Sequence, residues 1–278
     1  MIHVEDIVRA HIAWPMPRFM LRVVERLVHE REINALLQGG EGLSAHDFLK
    51  YVFKELDVRA QVNCRAALDP SCRYLFVSNH PFGALDGMLL ADMLLERWSD
   101  VGVVVNELLM HIVPLRELWV PVRKYARQSA GDSAVYHAAL ASERQILTFP
   151  AGLCSRWIDG RVTDLGWHSR FVRDAERYGR QVVPVYVDGV LSSRFYYIYR
   201  LRRALRISLN LELLLLVDEL FAQRGRRVRI EVGQPVDVHS LSGNVVERCR
   251  AIRQQVYALS QSAETLYASS ALDRVWRT

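Results

Sequence analysis

The chain lacks any apolar stretch of the roughly 18 residues that a membrane-crossing helix needs. The very apolar run Leu211 to Val217 is interrupted by Glu212 and closed by Asp218 and Glu219. The N-terminus lacks the charged region, long apolar stretch and cleavage site of a secretory leader. The expectation is therefore a soluble or peripheral protein, not an integral one. Cysteine is scarce. The four cysteines, Cys64, Cys72, Cys154 and Cys249, show neither C-x-x-C spacing nor the spacing of a metal site. A disulfide framework and a zinc module are thereby disfavoured, and a reduced cytosolic setting is the default. His168 likewise has no metal-ligand partner at useful spacing. There is no internal repeat and no low-complexity segment.

What is present is a chain of 278 residues, half of them hydrophobic, enough for one large α/β domain with a helical attachment. The formal net charge is +5. That balance suits an anionic membrane surface, an acidic substrate or nucleic acid, and does not choose between them.

The organising stretch is Val77-Ser78-Asn79-His80-Pro81-Phe82-Gly83-Ala84-Leu85-Asp86-Gly87. The apolar run Tyr74 to Val77 reads as a short buried strand, followed by turn-forming residues and a helix from Met88 to Leu95. A histidine side chain titrates near neutral pH and can take a proton from a hydroxyl. An aspartate at the next helix start can fix the ring tautomer and stabilise the imidazolium. His80 in a turn and Asp86 as a helix cap is the plain alternative, and on this motif alone both readings stand.

A second stretch, Ile146-Leu147-Thr148-Phe149-Pro150-Ala151-Gly152-Leu153-Cys154-Ser155-Arg156, again leaves a strand into a glycine-containing turn with a basic residue. Together the two motifs, N-H-P-x4-D-G and F-P-x-G-x-x-S-R, resemble the glycerolipid acyltransferase family of the lysophosphatidic acid acyltransferase (PlsC-like) type. The family order is N-H-x4-D, a downstream arginine, F-P-E-G-T-R-S and a V-P-V strand. Counterparts of all four occur here in that order between Tyr74 and Gly189. Five residues, not four, separate His80 from Asp86, Ala151 and Leu153 replace the motif Glu and Thr, and the arginine sits later, at Arg156, after Ser155 instead of before it. The pattern looks like a divergent bacterial branch that includes hemolysin-like acyltransferases.

The resemblance implies an α/β fold of the glycerol-3-phosphate acyltransferase type, a sheet flanked by helices. An N-terminal helical segment over residues 1–57 would precede an α/β acyltransferase domain over residues 58–278. It implies His80 as general base and Asp86 as its orienting partner. Asn79, Gly83, Arg123, Gly152, Ser155 and Arg156 are the expected substrate-binding residues. Arg123 and Arg156 would hold an anionic head group, and backbone N–H groups near Gly83 or Gly152 an oxyanion. Pro184, in the V-P-V strand, is a further pocket-shaping candidate. No metal or bound cofactor is implied, since acyl-ACP or acyl-CoA enters as co-substrate.

The remaining chain reads mainly as follows. Arg18 to Leu37 is an amphipathic helix, Ser44 caps a second, and Val58 to Val62 starts the sheet in hairpin fashion. Val101 to Val105, Trp119 to Lys124, Gln145 to Phe149, Gln181 to Gly189 and Arg227 to Val232 are strands. Ser133 to Ser142, Asp164 to Tyr178 and Val245 to Leu259 are helices, and Arg156 to Val162 is a turn. Alternating strands and helices place ligands at the carboxyl ends of strands. Arg194 to Arg206 interleaves arginine with Phe195, Tyr196, Tyr197 and Tyr199, which suits single-stranded nucleic acid or a membrane interface. The acyltransferase motifs favour the membrane.

The leading expectation is acylation of a lysolipid hydroxyl in membrane lipid synthesis, at the cytoplasmic face of the inner membrane. The acceptor is of 1-acylglycerol-3-phosphate type or, since the second motif departs from the family's, an amino-acid-containing lysolipid such as a glycine or ornithine lipid. The partners are that lysolipid, an acyl carrier protein or CoA thioester and an anionic membrane surface, with no nucleic acid. A non-catalytic membrane-binding protein and a hydrolase using Cys154 are competing classes.

Overall fold

The computed structural model describes residues 18–122, 130–206 and 215–262. The first half runs α1 (Arg18–Leu27), α2 (Glu30–Gly39), α3 (Ala45–Leu56), β1 (Arg59–Cys64), β2 (Tyr74–Ser78), α4 (Ala84–Leu95), β3 (Val101–Asn106) and β4 (Trp119–Val122). The second half continues with α5 (Ala130–Ala141), β5 (Gln145–Thr148), β6 (Arg156–Ile158), β7 (Arg161–Thr163), α6 (Arg170–Tyr178) and β8 (Gln181–Val187). It closes with α7 (Ser193–Ala204), α8 (Leu216–Ala222), β9 (Arg227–Val232) and α9 (Val245–Ala258). Glu107–His111 and Val113–Leu118 are 3-10 turns.

Seven strands form one sheet in the order β1-β9-β8-β2-β5-β3-β4. All neighbours are parallel except β8 and β9. At the centre, every residue of β2 is buried. Tyr74 and Phe76 join one core while Leu75 and Val77 join the other. A strand covered on both faces reads as a continuous apolar run, which explains its legibility in the sequence. Helices α3 and α4 pack in the first core with Phe48, Leu49, Leu89 and Leu90. Tyr136 of α5, Phe171 of α6 and Ile252 of α9 complete the second.

Four expectations need correction. Arg18 to Leu37 is two helices, because His29 between them adopts a left-handed backbone, φ 48°. There its ring stacks on Phe221 and bonds Asp218 at 2.8 Å. β1 is not part of a hairpin: it runs parallel to β9 at the sheet edge. Residues 156–163 form a two-stranded hairpin rather than a simple turn. Asp159 and Gly160 at its tip have φ of 48° and 79°, the left-handed pair that two-residue hairpins favour. The helix expected from Asp164 starts only at Arg170, because Asp164 is engaged elsewhere. Ser44 does cap α3, its hydroxyl accepting the Asp47 N–H at 3.1 Å. Leu49, Val52 and Leu56 of α3 lie in the same core as the sheet, so α3 and the α/β portion are packed as one body.

Candidate active site

Parallel strands β8, β2 and β5 are neighbours, so the loops leaving their carboxyl ends meet. The β2 loop carries His80. Its Nδ1 lies 3.0 Å from Asp86 Oδ2, a close contact that is not aligned as a hydrogen bond. The ring stacks on Phe149 of the β5 loop, centroids 4.1 Å apart and planes inclined by 27°. About a sixth of the His80 side chain, 17 %, is exposed, whereas Asp86 is fully buried. With Nδ1 against Asp86, Nε2 is the ring nitrogen left to meet a substrate.

The extra residue between His80 and Asp86 is accommodated by the turn preceding α4. Gly83 takes φ 78°, and the N–H groups of Phe82 and Gly83 both donate to Asp86 Oδ2, at 2.9 and 3.0 Å. A Cβ at residue 83 would come within 2.9 Å of Cys154 Sγ. Burial holds the Asp86 carboxyl above its ordinary range, opposed by the neighbouring His80 and the two amides.

Loops from β2 and β5 are tied together through the main chain. The Ser155 N–H donates to the His80 carbonyl at 2.7 Å. Asp164, buried just after the β6–β7 hairpin, accepts the Ser155 hydroxyl at 2.6 Å and the His80 N–H at 3.2 Å on one oxygen. Its other oxygen accepts the Trp167 indole N–H at 2.8 Å. Its own amide donates to the Tyr257 hydroxyl, which joins α9 to the network. Sequence reasoning missed Asp164 because a lone acid between a hairpin and a helix carries no motif.

The expected substrate residues divide sharply. His80 and Asp86 are brought together. Asn79 is spent on the scaffold: its amide bonds the Val187 carbonyl and N–H, both at 2.8 Å, stapling β2 to β8. Ser155 is spent on Asp164. Arg156 is buried, donates to the Cys154 carbonyl at 2.6 Å, and lies beneath the rings of Phe195 and Tyr199 at 4.9 and 4.8 Å. These contacts position the β5 loop, and in this conformation the guanidinium does not face solvent. The two expected oxyanion donors are also occupied, because the Gly83 N–H bonds Asp86 and the Gly152 N–H bonds the Phe149 carbonyl at 2.9 Å. Gly152 itself is exposed. Pro184 lies buried within β8, its carbonyl accepting the Gly233 N–H. Arg123 lies outside the described residues.

Cys154 is buried, and burial pushes its thiol up to about 12. It is no thiolate near neutral pH, which removes the cysteine hydrolase. Among the described residues one group has metal-ligand geometry, His46 of α3, Asp92 of α4 and Glu96 just past the end of α4. Lys50 Nζ sits 2.7 Å from Glu96 and already supplies positive charge there. Two surface concavities, one beside Arg173 and Asn244, the other between β1 and α4, also lie away from His80.

The central strand of a parallel-dominant α/β sheet thus leads into a His–Asp pair at a loop-lined centre. Comparison with known proteins gives the family. Residues 6–266 match the model of an acyltransferase family, and the chain belongs to that family. It is an acyltransferase. A lyso-glycine lipid O-acyltransferase of Phocaeicola vulgatus is 33 % identical over 222 residues, covering 80 % of each chain. One of the same name from Bacteroides thetaiotaomicron is 34 % identical over 222 residues, 80 % of this chain and 82 % of that one. Among solved structures, the 1-acyl-sn-glycerophosphate acyltransferase PlsC of Thermotoga maritima aligns with TM-score 0.46 and 17 % identity, over 89 % of this chain and 94 % of that one.

Proposed function

We propose that this acyltransferase moves a fatty acyl group from an acyl-ACP or acyl-CoA thioester to the hydroxyl of a lysolipid. The observation that carries the reading is the 3.0 Å contact between His80 Nδ1 and the buried Asp86 carboxylate. Asp86 keeps the proton on Nδ1, so Nε2 is the basic nitrogen. Nε2 takes the hydroxyl proton as the acceptor oxygen attacks the thioester carbonyl. The C–O bond forms, the C–S bond breaks, and the imidazolium returns its proton to the leaving thiolate. General base catalysis of this kind contributes about 100- to 10,000-fold.

The acceptor we favour carries a glycine head group, because both curated relatives bear that activity in their names. A 1-acylglycerol-3-phosphate acceptor is the second reading, supported by the motif order between Tyr74 and Gly189. The reaction is assigned to the cytoplasmic face of the inner membrane, with the protein peripheral. Mass spectrometry of products from labelled acyl-ACP and acyl-CoA with lyso-glycine, lyso-ornithine and lysophosphatidic acceptors tests this. Acylated glycine lipid is the expected product. Exclusive acylation of lysophosphatidic acid overturns the acceptor, and absence of product with every pair overturns the transfer.

A further inference from the structure

We propose that the outer face of α7 is the surface by which the protein docks on an anionic lipid bilayer. The sequence Ser193 to Arg206 contains five arginines, Arg194, Arg200, Arg202, Arg203 and Arg206, and no acidic residue. That equals the formal net charge of the whole chain, +5. Arg194 is paired with Asp218 at the start of the helix. Arg202 and Arg203 fall in its last turn, where they suit the helix dipole, Arg200 just before it and Arg206 past its end; Arg202 is half-buried with its guanidinium over the Tyr199 ring, while Arg200, Arg203 and Arg206 are exposed.

The same helix exposes apolar surface. Eight large hydrophobic side chains are exposed among the described residues; Tyr197 at 55 % and Leu201 at 44 % are on this helix, and Leu205 at 61 % caps its end. Steps of four residues place them along one stripe. The opposite side is anchored, with Phe195 and Tyr196 fully buried. A helix that buries two aromatics inward and shows tyrosine and leucine outward, with exposed arginines gathered at its C-terminal end, suits a membrane interface. Its apolar stripe sinks to head-group depth and its arginines meet phosphate or carboxylate. An acidic protein partner would be met by the arginines alone. The exposed Leu201 and Leu205 are what favour the bilayer.

The inner face of α7 reaches the reaction loop. Phe195 and Tyr199 cover the Arg156 guanidinium, Arg156 donates to the Cys154 and Ser155 carbonyls, and the Ser155 N–H holds the His80 carbonyl. A bilayer on the outer face of α7 thus lies one helix away from the loops that carry His80, where a lipid-borne acceptor is needed. The proposal rests on the lysolipid reading above only for that last step.

The test is co-sedimentation of the full chain with vesicles of phosphatidylglycerol and phosphatidylcholine, compared with phosphatidylcholine alone. The wild type is set beside Leu201→Asp and the double variant Arg203→Glu, Leu205→Asp. Each charge near an anionic surface contributes about fivefold in binding, so at least tenfold weaker binding is expected for the double variant. Circular dichroism and melting are expected to stay as in the wild type. Turnover of an acceptor embedded in vesicles falls in parallel, while turnover of a short-chain, monomeric acceptor stays within about twofold. Unchanged vesicle binding in both variants overturns the proposal. So does a wild type that ignores anionic vesicles, or a defect confined to acyl-ACP binding. Vesicle binding that the variants lose, in a wild type that acylates no lysolipid, upholds the docking face and overturns the reaction instead.

Discussion

The amide of Ser155 donates to the carbonyl of His80 at 2.7 Å. This one bond joins the two loops whose motifs lie about seventy residues apart in the sequence, and Asp164 doubles it by bonding Ser155 and His80 together. In this conformation the second motif braces the first through the His80 backbone.

Removing Asp164 tests that relationship. Asp164→Ala strands the buried Ser155 hydroxyl and frees the His80 amide, and each lost partner of a buried polar group costs about 1–3 kcal/mol. The variant is expected to melt several degrees lower. Its kcat falls at least tenfold while the KM for the acyl donor stays near wild type. Asp164→Asn, which retains one acceptor oxygen, is expected in between. Wild-type kcat in a folded Asp164→Ala protein contradicts the positioning role. Melting curves with steady-state kinetics decide it.

Asp86 separates activity from stability. Burial raises its carboxyl, so the folded protein holds that proton more tightly than the unfolded chain. The stability this contributes is present in full below the unfolded value, 3.8, and is lost as pH rises through the raised folded value. At neutral pH the ionised group is therefore a cost. Asp86→Asn, which keeps an oxygen for the Phe82 and Gly83 amides, is expected to melt no lower than wild type at pH 7. Its kcat drops about 100-fold or more. In the wild type the contribution of Asp86 to the acid limb of kcat sits higher in pH than an ordinary carboxylate would place it, and that contribution is lost in Asp86→Asn. A pH–rate profile with melting curves at two pH values checks both signs.

Cys154 is expected to be inert. With its thiol pushed up to about 12 and its side chain buried, it resists iodoacetamide at pH 8 in the folded protein, while the exposed Cys64 reacts. Peptide mass spectrometry reads the two sites separately. Loss of activity in step with Cys154 alkylation would restore the nucleophile reading.

Gly83 is held in a left-handed backbone with Cys154 Sγ against the place of a Cβ. Gly83→Ala is expected to cost about 1–3 kcal/mol. Because the turn also aims the Phe82 and Gly83 amides at Asp86, activity falls further than that loss of stability explains. Chemical denaturation set beside kcat gives the comparison. A variant with wild-type stability would show that the turn adapts freely.

Much of the fold was legible because burial on both faces leaves continuous apolar runs, as in Tyr74 to Val77 and Gln181 to Val187. The His–Asp pair was legible because the two residues flank a turn-forming run between a strand and a helix, within a recognisable motif order. The hairpin of Arg156 to Thr163 was not, since strands of three residues carry no period. The break at His29 was hidden because a histidine, not a glycine, takes the left-handed conformation there. For Asn79, Ser155 and Arg156 a polar residue in a motif reads as a substrate ligand, and the sequence carries no sign of its partners within the fold. Only the coordinates show that its partners are Val187, Asp164 and the Cys154 carbonyl.

The most direct test of the account is the acylation rate of His80→Ala with the preferred donor and lysolipid acceptor, measured by product mass beside a matched melting curve. The account predicts a folded protein whose rate is lower by about 100- to 10,000-fold. A folded His80→Ala enzyme that acylates at the wild-type rate would contradict it.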